Sequence, residues 1–387
     1  MFAQLLTAVA KRENELVKLL VVVGYLAGGL ALLGVMSNAR AASWDETAAA
    51  ARTEGEVVAF ICCGVGRNVG KFIGEFEEKY NLKVVFSTGS SRQQADRVLA
   101  ERKAGVYALD VWIGGITTAN TRLLPANVVA PVKPLLVHPQ VLDKKAWYGG
   151  EGPVFADPEQ KYLVAFAGNG GMVPEITYNT KLVNPDEINS FWDLLNSKWK
   201  GKIVGRDPGS AGVGQSTAFY YLHPQIGPDF LRRLLTEMDI TIVKNARQAA
   251  EWLALGKYSI CLFACSREVH QLMEQGMPVR DQLAKILKEA PRISVGGGAL
   301  WAMDRPPHPH AQKLFINWWL TREGQLLMQR ADGDDSLRVD IPKEMVNKSD
   351  RRLEGVNYWF PERDPEFQNK LGEALTFARK LVDSRRR

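Results

Sequence analysis

Apolar positions along this chain switch repeatedly between the spacing of a strand and that of a helix. Glu56 to Ile61 (EVVAFI) is a short apolar run of buried-strand type, and Val69, Phe72, Ile73, Phe76 and Tyr80 then recur on one helical face. Leu82 to Phe86 predicts a second strand, Ser91 to Lys103 a helix opened by Ser90, and Leu109 to Ile113 a third strand. The order β-α-β-α-β implies parallel strands with right-handed crossovers. Ligands of such sheets sit outside the carboxyl ends of the strands, where the loops before the helices gather.

A connection containing Pro125, Pro131 and Pro134 follows, then strands near Tyr162 to Ala167 and at Ile176 to Tyr178. The next block reads as a helix at Ile188 to Asn196, a strand at Lys202 to Val204 and a helix starting near Ala211. It continues with the helix Asp229 to Met238, the strand Ile240 to Val243, the helix Ala246 to Leu255 and the strand Ser259 to Phe263. Ala299 to Met303 is a return strand, and Pro309 to Gln329 and Glu366 to Val382 are amphipathic helices. No repeat of fixed period is present. Two α/β blocks with an interrupted order predict two lobes with a cleft between them.

The first forty residues read differently. Lys11, Arg12 and Lys18 precede the apolar stretch Leu19 to Met36, and small residues with an A-x-A pattern follow, so residues 1–41 read as an export signal cleaved after Ala41. The competing reading is a retained anchor, since this stretch lies at the lower edge of spanning length.

Composition narrows the class. The 387 residues are 46% hydrophobic and 24% charged, a balance that excludes disorder and a polytopic membrane protein. The formal net charge of +6 falls to +4 once residues 1–41 are removed, and acids and bases interleave throughout, so there is no nucleic-acid footprint. Four cysteines are too few for a disulfide scaffold.

Several segments carry a family likeness. Tyr178-Asn179-Thr180-Lys181-Leu182, Phe191-Trp192-Asp193-Leu194-Leu195, Lys198-Trp199-Lys200-Gly201-Lys202-Ile203 and Asp207-Pro208 resemble periplasmic solute-binding proteins of ABC importers. The branch is the one whose best-known members bind ferric iron, with relatives that take phosphorylated sugars, phosphonates and polyamines. The likeness runs from about Glu56 to the final helix and includes Ala299 to Met303 and the helix carrying Phe315, Trp318 and Trp319. It implies an α/β, two-lobed type II periplasmic-binding fold, each lobe a mostly parallel sheet flanked by helices, closing on ligand by hinge bending. The expected organisation is a signal at 1–41, a first lobe at 42–175, a second at 176–291, a return to the first at 292–335 and a C-terminal helical segment at 336–387.

Iron binders of this family use adjacent tyrosines after a strand of the second lobe, usually with a His and a Glu, hard ligands suited to Fe(III). Here Ser259 to Phe263 is followed by Ala264-Cys265-Ser266-Arg267, the first loop Cys62-Cys63-Gly64-Val65-Gly66-Arg67 has no His, and Gly114-Gly115 stands where the Glu would. The pair Tyr220-Tyr221 lies inside a helix and reads as core or surface filler. Iron is therefore not expected, and neither a metal nor a cofactor is.

The remaining cleft loops suit an anion. Ser87-Thr88-Gly89-Ser90-Ser91 and Pro208-Gly209-Ser210-Ala211-Gly212 each join a strand to a helix, offering backbone N–H groups, hydroxyls and a positive helix end. An ordinary N-cap is the competing reading for each. The resemblance adds Asn245, and Arg267 offers a bidentate contact. The expected ligand-binding set is Cys63, Gly64, Ser90, Ser91, Ser210, Ala211, Gly212, Asn245, Ser266 and Arg267. Arg67, Arg92 and Arg247 read as solvated.

The cysteines read as small buried residues, with Cys261 in the core, a soft-metal site or redox latch as alternatives, and a Cys62–Cys63 bridge disfavoured as strained. No G-x-S-x-G, Walker, H-E-x-x-H or G-x-G-x-x-G motif sits in the required context, so no enzyme is expected. The expected protein is a monomeric periplasmic binder that delivers a small phosphorylated, phosphonate or carboxylate solute to an inner-membrane ABC permease. Ferric-iron, other metal or polyamine binding and ligand sensing for a membrane receptor are the alternatives.

Overall fold

The computed structural model describes residues 44–385 apart from 171–173, 211–212, 264, 282, 284–286, 290, 348–349, 357 and 362–364. The expected export signal lies outside the described residues. Among those described, no helix is long and apolar enough to cross a membrane.

The first sheet is built from β1 (Glu56–Ile61), β2 (Lys83–Ser87), β3 (Val111–Gly114), β4 (Val129–Ala130), β5 (Val154–Phe155) and β6 (Val164–Ala165). A short crossing strand, β7 (Asn169–Gly170), leads to the second sheet, made of β8 (Ile176–Asn179), β9 (Ile203–Arg206), β10 (Thr241–Val243), β11 (Ile260–Leu262) and β12 (Val279–Arg280). The chain crosses back through β13 (Ile293–Ser294), which pairs antiparallel with β7, and enters the first sheet again as β14 (Ala299–Met303). The seven-stranded sheet has the order β2-β1-β3-β14-β6-β5 with β4 on β14, and the five-stranded sheet the order β10-β9-β11-β8-β12.

Within each sheet three strands run parallel, β2-β1-β3 and β10-β9-β11, and antiparallel strands complete the rest. The parallel trios place their carboxyl ends together, and strand-to-helix loops emerge from those ends. This is the two-lobed type II periplasmic-binding arrangement expected from the residues.

The helices follow from burial. Phe76 packs its ring 4.9 Å from Trp318 and 5.2 Å from Phe315, which is why the helix Ile73–Tyr80 keeps one apolar face. Pro309 to Gln329, read as one helix, is two: Pro309–Leu320 and Arg322–Asp332, broken at Thr321. Thr321 takes extended geometry and its hydroxyl accepts from the Gly324 N–H at 3.2 Å, a helix start inside what periodicity reads as continuous. The first of these helices is apolar nearly all round because the sheet and its neighbouring helices enclose it. The predicted helix at Ile188 to Asn196 is a tighter 3-10 segment, Phe191–Leu195, opened by a capping box from Ser190 and Asp193.

After the last helix of the first lobe, the described residues between 334 and 356 run irregularly over that lobe. Leu337 N–H donates to the Phe166 carbonyl at 2.7 Å, and buried Arg338 donates to the Gln140 and Leu320 carbonyls and to Asp340. The helix Pro365–Arg385 then packs on the second lobe against Gly214–Leu222 and Gly227–Glu237, longer by three residues at its end than the pattern suggests.

Candidate functional site

Each parallel trio ends in loops that turn through left-handed backbone. β1 runs into Cys62, which is extended, and then Cys63 at a φ of 68°. β11 runs into Phe263 at a φ of 60°. Non-glycine residues adopt this region at a cost, so both loops are held by their surroundings.

On the first lobe, Cys62, Cys63, Arg67, Thr88, Gly89 and Ser91 line a cavity of about 360 Å³ at the ends of β1 and β2. Of the expected site residues it brings together Cys63 and Ser91. Ser91 opens the 13-residue helix Ser91–Lys103, so the positive end of a long helix borders the cavity. Arg67, read from sequence as solvated, is exposed, lines the cavity and has no ion-pair partner among the described residues. Its signal is its place one helical turn beyond Cys63, which returns it to the same loop.

Ser90 and Gly64 do different work. The Ser90 hydroxyl accepts from the Gln93 N–H at 3.5 Å, the ordinary capping role. Gly64 lies against Asp332, and a Cβ there would fall 2.6 Å from a carboxylate oxygen, so this position serves close packing behind the loop. Asn68 donates to Asp332 at 2.9 Å and Asn169 donates to Asp334 at 2.9 Å, forming a carboxylate-rich backing. Burial pushes Asp334 up to about 6, the Asn169 hydrogen bond opposes this, and the neighbouring charge of Asp332 adds to it.

On the second lobe, Asp207 to Ser210 of the loop after β9 bond in part to one another. The Ser210 hydroxyl donates to the Asp207 carbonyl at 2.8 Å, and the Gly209 N–H donates to Asp207 Oδ1 at 2.9 Å. Ala211 and Gly212 lie outside the described residues, and the helix begins at Gly214, beyond the predicted start near Ala211. Asn245 caps the helix Ala246–Ala254, its side-chain oxygen accepting from the Arg247 N–H at 2.9 Å. Ser266 and Arg267 open the helix Ser266–Glu274, and their side chains lie outside the description. Ser210 and Asn245 stand at the second-lobe strand ends and do not line the first-lobe cavity.

Two expectations about the cysteines are corrected. Cys62 and Cys63 are bonded to each other, and so are Cys261 and Cys265. Successive residues of a strand point to opposite faces, but the left-handed turn at Cys63 brings the two adjacent side chains to one side. Cys261 and Cys265 have Cα atoms 6.5 Å apart, within disulfide range. Cys265 is fully buried and bonded within its own lobe, so it does not face Cys63 across the cleft as a latch. Cys261 is in the core, as expected.

The tyrosine pair is where the pattern puts it. Tyr220 is completely buried in the second-lobe core, and burial drives its phenol far above the usual range. Tyr221 donates to Glu373 Oε1 at 2.5 Å, a hydrogen bond that is the first cause of its pKa being pushed up to about 12. Neither presents a phenolate at a strand end. Among the described residues, no group of three His, Cys, Asp or Glu is placed to hold a metal.

Comparison with curated proteins finds no match. Among solved structures, the chain resembles the IdiA/FutA protein of Trichodesmium described with iron and citrate ligands, at 14% identity and TM-score 0.59, covering 84% of this chain and 99% of that one. It also resembles the ferric binding protein of Campylobacter jejuni, at 14% identity and TM-score 0.52 over 85% and 98% of the two chains. The PotD spermidine/putrescine-binding protein of Streptococcus pneumoniae gives 16% identity and TM-score 0.52 over 84% and 99%. At such identities the likeness bears on the fold. The family model described as bacterial extracellular solute-binding protein matches residues 69–331, well over half of the chain. With its two lobes and carboxyl-end loops, the chain belongs to the bacterial extracellular solute-binding proteins.

Proposed function

We propose that this protein captures a small anionic organic solute, phosphorylated, phosphonate or carboxylate, and delivers it to an ABC permease in the inner membrane. The observation that carries the reading is Arg67, a cation without an ion-pair partner among the described residues, on the same cavity as Thr88 and Ser91 and the start of a long helix. A guanidinium matches phosphate and carboxylate geometry, and the helix end adds N–H donors of the same sign. Closure of the lobes would bring the second-lobe loops with Ser210, Ala211, Gly212, Asn245, Ser266 and Arg267 over an anion held beside Cys63 and Ser91, with Gly64 packed behind that loop and Ser90 capping its helix. A leader at residues 1–41 would export the chain, which would act as a monomer in the periplasm and without catalysis. Ferric iron, named for two of the structural relatives, is disfavoured because Tyr220 is core and Tyr221 is engaged with Glu373.

A thermal-shift panel of glycerol 3-phosphate, a phosphonate, dicarboxylates, spermidine and ferric citrate, followed by titration calorimetry, tests this. Arg67→Ala is expected to weaken the best anion about tenfold or more, equivalent to about 1.4 kcal/mol. Stabilisation by spermidine or ferric citrate alone would refute the anion reading.

A further inference from the structure

A disulfide between distant cysteines stabilises by restricting the unfolded chain, and the effect grows with the loop it closes. The Cys62–Cys63 bridge joins adjacent residues and closes no loop, so its influence is confined to its own surroundings. Those surroundings are built to hold it. A Cβ on Gly114 would lie 2.8 Å from Cys62 Sγ, and one on Gly297 would lie 2.7 Å from Cys63 Cβ. The end of β3 and the turn before β14 therefore give up side chains where the bridge sits. The bridge also fixes Cys63 in its left-handed backbone, from which the helix carrying Arg67 departs.

Its exposure sets it apart from the second bridge. Cys63 is exposed on the cavity shared with Arg67, Thr88, Gly89 and Ser91, whereas Cys261 and Cys265 are completely buried. A reductant in solution reaches the first and not the second.

We propose that the Cys62–Cys63 bridge is a reducible positioning element of the first-lobe cavity: closed, it holds the loop that presents Arg67, and opened by an external dithiol or phosphine it releases that loop while the Cys261–Cys265 bridge stays intact. With a dithiol, the attacking thiolate forms a mixed disulfide at Cys63 and expels the Cys62 thiolate. The second thiol then displaces Cys63, so the dithiol leaves as its disulfide and the two cysteines take up two protons. With a phosphine, phosphorus supplies the two electrons and departs as the oxide with oxygen from water. Freed of the bond, Cys63 leaves a conformation that non-glycine residues avoid. This inference goes beyond the anion reading and can be judged without a ligand.

The test treats the folded, oxidised protein with tris(2-carboxyethyl)phosphine. One aliquot is alkylated with iodoacetamide and mapped by mass spectrometry, and another is followed unlabelled by amide hydrogen exchange. The expected result is labelling of Cys62 and Cys63 with Cys261 and Cys265 protected, and exchange rising severalfold in residues 62–68. Cys62→Ser/Cys63→Ser should show the raised exchange before any reductant and no change after it. Labelling of all four cysteines together, or unchanged exchange in 62–68 once the bridge is open, overturns the proposal. Titration with inorganic phosphate separates the two ideas. Equal affinity in both redox states refutes control of the cavity while the anion reading stands, and absence of binding to the oxidised protein counts against the anion reading alone.

Discussion

Arg379 donates through Nη2 to the Gly209 carbonyl at 2.8 Å, fastening the C-terminal helix Pro365–Arg385 to the loop that follows β9. The contact is tight on both sides. A Cβ on Gly209 would lie 2.9 Å from Arg379 Cβ and 3.1 Å from its Cα, and a helix backbone has little room to retreat. Gly209→Ala is expected to cost about 1–3 kcal/mol. Arg379→Ala should cost about 1–2 kcal/mol, the scale of one hydrogen bond to a charged donor. Urea unfolding of both variants checks this, and a wild-type midpoint for Gly209→Ala would show that the helix yields.

A second prediction concerns a buried carboxylate. Ser190 donates to Glu289 Oε1 at 2.6 Å while the Phe191 N–H serves Oε2 at 3.0 Å, and both Ser190 and Glu289 are nearly inaccessible. Ser190→Ala removes one donor from a carboxylate that water cannot reach. The expected cost is about 1–3 kcal/mol, and Ser190→Thr should recover much of it. Chemical denaturation of the two variants together decides whether the hydroxyl or the volume matters.

Asp334 gives the protein a pH dependence. Burial holds its folded-state pKa at about 6, above the usual carboxylate range near 4, so the fold favours its protonated form. Its contribution to stability is therefore full below about pH 4 and is lost as the pH rises through about 6. Asp334→Asn keeps a neutral oxygen for Asn169 to donate to. The variant should melt higher than wild type at pH 7 and show a flatter melting curve between pH 4 and 7. A steeper curve in the variant would contradict this assignment.

Tyr220 should tolerate loss of its hydroxyl. The ring packs between Phe230 at 5.6 Å and Phe263 at 5.5 Å, while its buried oxygen has no hydrogen-bond partner among the described residues. Tyr220→Phe keeps the packing and removes an unsatisfied polar atom, so stability should rise by about 1 kcal/mol. Solute affinity should stay unchanged, and a large loss of binding measured by calorimetry would contradict the reading of this residue as core.

Strands and helices of the first lobe were legible because burial there follows simple periods. Val57 to Ile61 is continuous apolar sequence and Ala299 to Met303 is buried on both faces, so each run states its own element. The break at Thr321 was hidden because Trp318, Trp319 and Gln325 keep a helical rhythm across it while the backbone turns. Site residues were harder. Ser90 and Asn245 have the composition of anion loops and of caps alike, and only the hydrogen bonds to Gln93 and Arg247 distinguish the uses.

By itself, the order of apolar runs determined two α/β blocks, a fold with strand-end loops and the absence of a tyrosine pair at the strand end, because these depend on residue type and spacing. Tertiary structure decided which cysteines meet, that Arg67 borders a cavity while Gly64 backs onto Asp332, and that Ser210 turns into its own loop. Those facts rest on side-chain direction and long-range approach. A single left-handed residue such as Cys63 changes both, and no periodic pattern records it.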